Sequence, residues 1–184
     1  MIYMTTKRKK QHFVPQFYLR NFSSNRHTIR IYHMDSGEMH ESPIQSTCQE
    51  SKFYGGDGEF ENFLERVDDD HSRTIKTIVE SKSLPSIASA NHIALLEFLL
   101  VQYTRTRLER MTVESFGDVI CDRYLKPMMQ SYLKSKGLNH QEIKRYSIKI
   151  TNMDNFHKYA ILQGMDSIIG IMDLIPSLIV NNSG

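Results

Sequence analysis

His12 is the residue around which chemistry could be built in this chain. It stands in Gln11-His12-Phe13-Val14-Pro15-Gln16-Phe17-Tyr18-Leu19-Arg20-Asn21-Phe22, a stretch that sets aromatic rings around an imidazole, polar amides and a guanidinium. An imidazole titrates near neutral pH and serves as acid, base or ligand. Further on, Glu61, Glu65 and Asp68 are spaced so that a helix would carry all three on one face. Carboxylates in such a row hold a hard divalent cation, divide acid and base roles, or form a solvated surface. Glu97 and Arg105 lie in or beside an apolar run, where an unpartnered carboxylate is costly and a guanidinium can meet a phosphate. Together these are the residue types of a metal-assisted phosphodiester hydrolase: carboxylates and imidazole for a cation, a base, and arginine for the phosphate.

The catalytic candidates are therefore His12, Glu61, Glu97 and Arg105. Glu61, Glu65 and Asp68 are candidate ligands for a divalent metal, and Gln11, Gln16, Arg20, Asn21 and Gln102 are candidate binding groups. His71 and His157 are further imidazoles, each read either as a buried neutral ring or as part of a site. No paired-histidine motif and no tight Asp/Glu-x-Lys set accompanies them, so the nuclease-like reading rests on residue types. The competing reading is a non-catalytic module that binds nucleic acid or protein. In that case the 11–22 stretch is a recognition or architectural motif and His12 is a hydrogen-bonding pin.

Several elements must position these groups. Val14, before proline, is pushed to extended geometry, and Pro15 suits the start of a helix, so the chain should arrive extended and then coil. Ile29 and Ile31 alternate with Arg30 and Tyr32 ahead of Asp35-Ser36-Gly37, which predicts a β-hairpin ending near residue 42. Residues 44–58 read as irregular, with Gly55, Gly56 and Gly58 making a flexible turn rather than a phosphate cradle. Phe60, Phe63, Leu64, Val67, Ile75 and Ile78 recur at helical spacing and predict a helix over 59–80, with His71 inside its stripe. The next helix is expected to start at 87 or 89 and run to 110 as the central, most buried one. Within it Glu97 would pair with Arg105 or His12, either as an ion pair fixing helix register or as part of an anion-binding pocket. A further helix from 112 or 115 should bend or break at Lys126-Pro127 and resume over 128–136 before Gly137. A turn capped by Asn139, a strand over 146–150, a helix capped by Asp154 through 174 and the start of a strand at 178–180 complete the expected order.

The chain has 184 residues, of which 40% are hydrophobic, enough for one domain with a proper core. Its formal net charge of +2 does not by itself call for a nucleic-acid or membrane partner. Locally, Lys7-Arg8-Lys9-Lys10 precedes the motif, either as a solvated, disordered tail over 1–10 or as a phosphate contact beside His12. Two cysteines, Cys48 and Cys121, lack metal-binding spacing and suit a reducing compartment. No apolar run of signal-peptide or membrane-span length is present, so the expectation is a cytoplasmic protein with no membrane partner. The hairpin edge and the 178–180 segment are the expected places for self-association.

The 11–22 stretch resembles the opening signature of a largely bacterial family, the domain of unknown function numbered 4238. A looser likeness continues through the hairpin, the acidic helix near Glu61 and Gln102-Tyr103-Thr104-Arg105-Thr106-Arg107. The resemblance implies no settled activity. It does imply that other members continue into a strand-rich segment with a tryptophan and a Ser-Asp-x-Pro motif. This chain has no tryptophan, which marks it as a truncated or shortened member. The expected fold is α+β and mainly α-helical, with the N-terminal motif and hairpin packed on a bundle of about four helices, and a single domain over 11–184.

Overall fold

Val14 and Pro15 act as their backbone restrictions require. In the computed structural model, which describes residues 10–56, 58–148, 150, 151 and 153–177, the chain arrives as a short strand, β1 (Lys10–His12). Pro15 (φ −61°, ψ 138°) then turns it into a single helical turn, α1 (Gln16–Leu19), extended by a 3-10 turn over Arg20–Phe22. The predicted hairpin forms from β2 (Thr28–Tyr32) and β3 (Met39–Pro43), with Ile29 opposite Ser42 and Ile31 opposite His40. Gly37 supplies the positive φ of +69° in its turn. Among the described residues this hairpin pairs with no other strand.

Residues 44–58 are more ordered than their composition implied. A 3-10 turn (Ile44–Ser46) leads into β4 (Gln49–Ser51), antiparallel to β1 with Gln11 opposite Glu50. Gln49-Glu50-Ser51 has no apolar alternation to announce a strand; the partner's backbone creates it. Directly after it, Phe53 and Tyr54 are fully buried, so the segment read as a flexible glycine turn contributes the centre of the core.

The long helix α2 (Glu59–Ser81) matches its expected span and buries Leu64, His71, Ile75 and Ile78. The central helix does not. It is α3 (Ala90–Thr104), capped by the Ser89 hydroxyl accepting from His92 N–H, and it stops at Arg105. Thr106 caps a new helix, α4 (Arg107–Ile120), its hydroxyl accepting from Glu109 N–H at 3.2 Å. Thr106-x-x-Glu109 has the spacing of an N-terminal capping box, and it overrides the apolar pattern that runs on toward residue 110. Nor is α3 buried all round, since Leu99 is 48% and Tyr103 67% exposed.

Pro127 does not break the next helix. A π turn over Cys121–Leu125 lets Lys126 N–H reach Cys121 O, and α5 (Lys126–Ser135) follows with the proline in its first turn, where no intrahelical donor is needed. Asn139 caps α6 (His140–Ile143) in a complete capping box with Glu142. The strand expected at 146–150 is absent among the described residues, where no neighbouring strand offers it a ladder. The last helix, α7 (Met153–Asp166), begins before the expected cap, with Asp154 inside its first turn, and gives way to a 3-10 turn over Ser167–Ile171. The helix expected through 174 therefore ends early, and Ile169 is exposed. The segment 178–180 and the basic residues Lys7, Arg8 and Lys9 lie outside the described residues.

The motif ties two core clusters together. Phe13 packs against Phe53, Tyr54, Leu64, Val101 and Ile161, whereas Phe17 and Tyr18 pack against Ile75, Ile78, Leu95 and Phe98. Cys48 and Cys121 are free thiols, and no described helix is long and apolar enough to cross a membrane. The α+β, mainly helical class stands.

Candidate functional site

One face of α2 and the motif enclose a cleft of about 360 Å³. From α2 come Glu61, Leu64, Glu65, Asp68 and Asp69, because residues three or four apart on a helix align. From β1 and α1 come His12, Gln16, Phe17 and Arg20 across the gap, with Tyr54 and Arg105 also in the lining. Seven of the residues singled out on chemical grounds (His12, Gln16, Arg20, Glu61, Glu65, Asp68 and Arg105) thus line one cleft although they come from three separate segments.

Arg105 is only 3% exposed, and all three of its nitrogens are engaged. Nη1 pairs with Asp68 Oδ1 at 2.7 Å, Nε donates to the Tyr54 hydroxyl at 3.1 Å, and Nη2 donates to the His12 carbonyl at 3.1 Å. The Tyr54 hydroxyl in turn donates to that same carbonyl. Burial pushes the Tyr54 hydroxyl up, so it stays neutral. Burial also raises Asp68 above the ordinary carboxylate range, with Arg105 pulling in the opposite direction. For Arg105 burial works against the charge, but Tyr54 and Asp68 outweigh it and the group stays protonated. The corner that ends α3 is what swings this guanidinium under the motif.

Gln11 is a second clamp. Its Nε2 donates to Gly55 O at 3.1 Å, and its Oε1 accepts from Tyr54 N–H at 2.6 Å. Gly55 (φ +89°) has no room for a side chain there, since a Cβ would lie 2.3 Å from Asp154 Oδ2. Gln102 Nε2 donates to Phe13 O at 3.1 Å. Gln11 thus ties the motif to the backbone of Tyr54 and Gly55, Gln102 holds the motif's own backbone at Phe13, and neither lines the cleft. His12 itself places Nε2 at 3.1 Å from Gln45 O. A carbonyl only accepts, so Nε2 carries the hydrogen in this contact.

Other candidates are placed elsewhere. Glu97 meets neither Arg105 nor His12; its partner is the buried His71, with Nε2 and Oε2 3.4 Å apart. That pair joins α2 to α3, edge-on to Phe98, and does not line the cleft. Asn21 turns back to donate to Phe17 O. His157 is fully buried, stacks on Tyr54 and donates from Nε2 to Thr104 O at 3.0 Å. Burial lowers its pKa, which keeps the ring neutral. Among the described residues no group of three or more His, Cys, Asp or Glu side chains is arranged to hold a metal ion. The row Glu61, Glu65 and Asp68 reaches the cleft, but Asp68 faces Arg105.

Sequence reasoning missed Tyr54, Asp69 and the Gln45 carbonyl. An aromatic pair set between a polar strand and glycines was the available signal for Tyr54; the carbonyl had none.

Fold and cleft together define a mainly helical α+β protein whose N-terminal motif is riveted by a buried arginine beside an acidic helix. The model of a family described as a protein of unknown function (DUF4238) matches residues 10–174, and the chain belongs to that family. No curated protein and no solved structure matches it.

Proposed function

We propose that the His12 cleft is an acid–base site that hydrolyses a phosphodiester. The observation that carries this reading is the convergence of His12, Arg20, Glu61 and Glu65 in one cleft floored by a rigid hub. His12, oriented by Gln45 O, acts as the base, and Arg20 orients the phosphate. Water adds to phosphorus as one P–O ester bond breaks. The proton lost by water passes to His12, and the departing oxygen is protonated by solvent. Glu97 and Arg105, first grouped with the catalytic residues, act through structure in this reading.

Electrostatics set a condition on this reaction. Among the described residues, four carboxylates and two guanidiniums line the cleft, so a counter-charge would favour an anionic substrate there. Glu61 and Glu65, one turn apart, would be the residues to hold a magnesium ion, which would supply that counter-charge through one or two carboxylates. The test is hydrolysis of bis(p-nitrophenyl) phosphate and of a labelled oligonucleotide with magnesium or manganese. His12→Ala should retain the wild-type melting behaviour and lose activity by about 100-fold or more. A folded His12→Ala chain with full activity would refute the assignment.

A second reading is a non-catalytic module for nucleic acid or protein. The engagement of Arg105 and Gln11 by the fold itself favours it. It expects salt-dependent association, no turnover with any metal, and a destabilised His12→Ala chain.

A further inference from the structure

A second concavity, of about 730 Å³, adjoins the cleft and shares Gln16 and Arg20 with it. Its charge is the reverse of the cleft's. Arg20, Arg26 and His27 line it with the amides of Gln16, Asn25 and Gln45, and among the described residues no carboxylate takes part. The nearest acid on the hairpin, Glu41, accepts the Thr28 hydroxyl and lies outside the lining. Gln45 connects the two spaces directly, since its carbonyl holds His12 while the residue lines the basic groove.

The loop that presents Arg26 and His27 is built rather than loose. Asn25 Oδ1 accepts from the backbone N–H groups of both His27 and Thr28 at 2.8 Å, and its Nδ2 donates to the Thr28 hydroxyl at 2.7 Å. This network holds Arg26 at φ +62°, in the left-handed region that favours glycine. Glycine would fit the backbone better, and arginine stands there with an exposed side chain beside Arg20.

We propose that this groove is the phosphate-binding track for single-stranded nucleic acid, with Arg26 and His27 holding a backbone phosphate next to the one placed in the His12 cleft. The proposal rests on the phosphodiesterase reading for the identity of the reacting phosphate and supplies what that cleft lacks. An acidic cleft repels a polyanion, whereas a carboxylate-free groove sharing Arg20 with it draws the strand to the edge of the reactive groups. A concavity lined by guanidinium and amide donors suits a sugar-phosphate chain whose bases need not be read.

The decisive variant is Arg26→Gly, which removes the cation and suits the φ of +62°. Binding of a fluorescein-labelled 12-nucleotide single strand is followed by anisotropy in EDTA, across a salt series. The wild-type chain should bind with a negative salt slope. Arg26→Gly should melt no lower than wild type, bind several-fold more weakly, and lose about 0.7 from the slope, the value of one single-strand phosphate contact. His27→Ala provides an independent variant and should weaken binding in the same direction. Unchanged affinity and slope in both folded variants overturns the track. Hydrolysis of bis(p-nitrophenyl) phosphate separates the two ideas, because that small diester does not reach the groove. Turnover that depends on His12 with binding indifferent to Arg26 removes the track and keeps the cleft. Arg26-dependent binding without turnover keeps the track and removes the hydrolase.

Discussion

Two arginines line the same cleft in different surroundings. Arg105 is buried, and its donors are taken by Asp68, the Tyr54 hydroxyl and the His12 carbonyl. Arg20 is half-buried and donates to Gln16, a neutral side chain on the same turn. The first guanidinium has its charge balanced and its geometry fixed by three elements of the fold; the second keeps its charge at the junction of two open concavities. A charged residue in an apolar helix is therefore a weak guide to a ligand. Counting its filled donors separates scaffold from site.

Removing the scaffold arginine tests the contrast most severely. Arg105→Ala leaves Asp68 without its guanidinium and takes one of two donors from the His12 carbonyl, and breaking a buried pair in this way costs about 3–5 kcal/mol. For a chain of this size that lowers the melting temperature by roughly 10 °C. Arg105→Met combined with Asp68→Leu should recover much of the loss, because no lone charge remains buried. An Arg105→Ala chain that melts with the wild type would break the comparison at its base. Gln11→Ala comes next. It forfeits the bonds to Gly55 O and Tyr54 N–H and should cost about 2 kcal/mol in a urea titration.

The ease with which these roles could be read from sequence follows the range of the forces behind them. The motif, the hairpin and α2 were legible because proline geometry, turn residues and apolar spacing act within a few residues. The corner at Arg105 was misread because apolar residues continue to Tyr103, while the stop lies in the Thr106-x-x-Glu109 cap beyond it. That single corner separates Arg105 from the expected long helix and sends it to Asp68, leaving Glu97 to His71. Phe53 and Tyr54 were taken for loop residues because glycines follow them, although aromatic burial decided their place. Which carboxylate meets which base is a matter of helix packing, and no spacing within one helix encodes it.

His157 sharpens the comparison through pH. The ring supports the hub from behind Tyr54, and burial holds its pKa below the ordinary 6.5. In the unfolded chain it takes up a proton near 6.5, while the folded chain resists. Its contribution is thus complete above that pH and lost as pH falls through the lowered folded value. Thermal or urea melts between pH 7.5 and 5 should show stability falling by at most about 1.4 kcal/mol per pH unit from this group. His157→Gln keeps a donor for Thr104 O and should flatten that part of the profile.

Arg20→Gln carries the smallest expected change in stability and the most information for its size. Outside the hub, with one neutral partner on its own turn, Arg20 has little to lose on truncation, and the melt should move by no more than about 0.5 kcal/mol. If Arg20 belongs to the cleft's chemistry, the same variant should raise KM for a small phosphodiester while its melt stays put, since the charge acts on the substrate and not on the fold. A fall in stability comparable to that of Arg105→Ala would instead make Arg20 a second rivet. Among the described lining residues, both guanidiniums of the cleft would then be spent on the fold, and a phosphate would draw on Arg26 and His27 of the neighbouring groove.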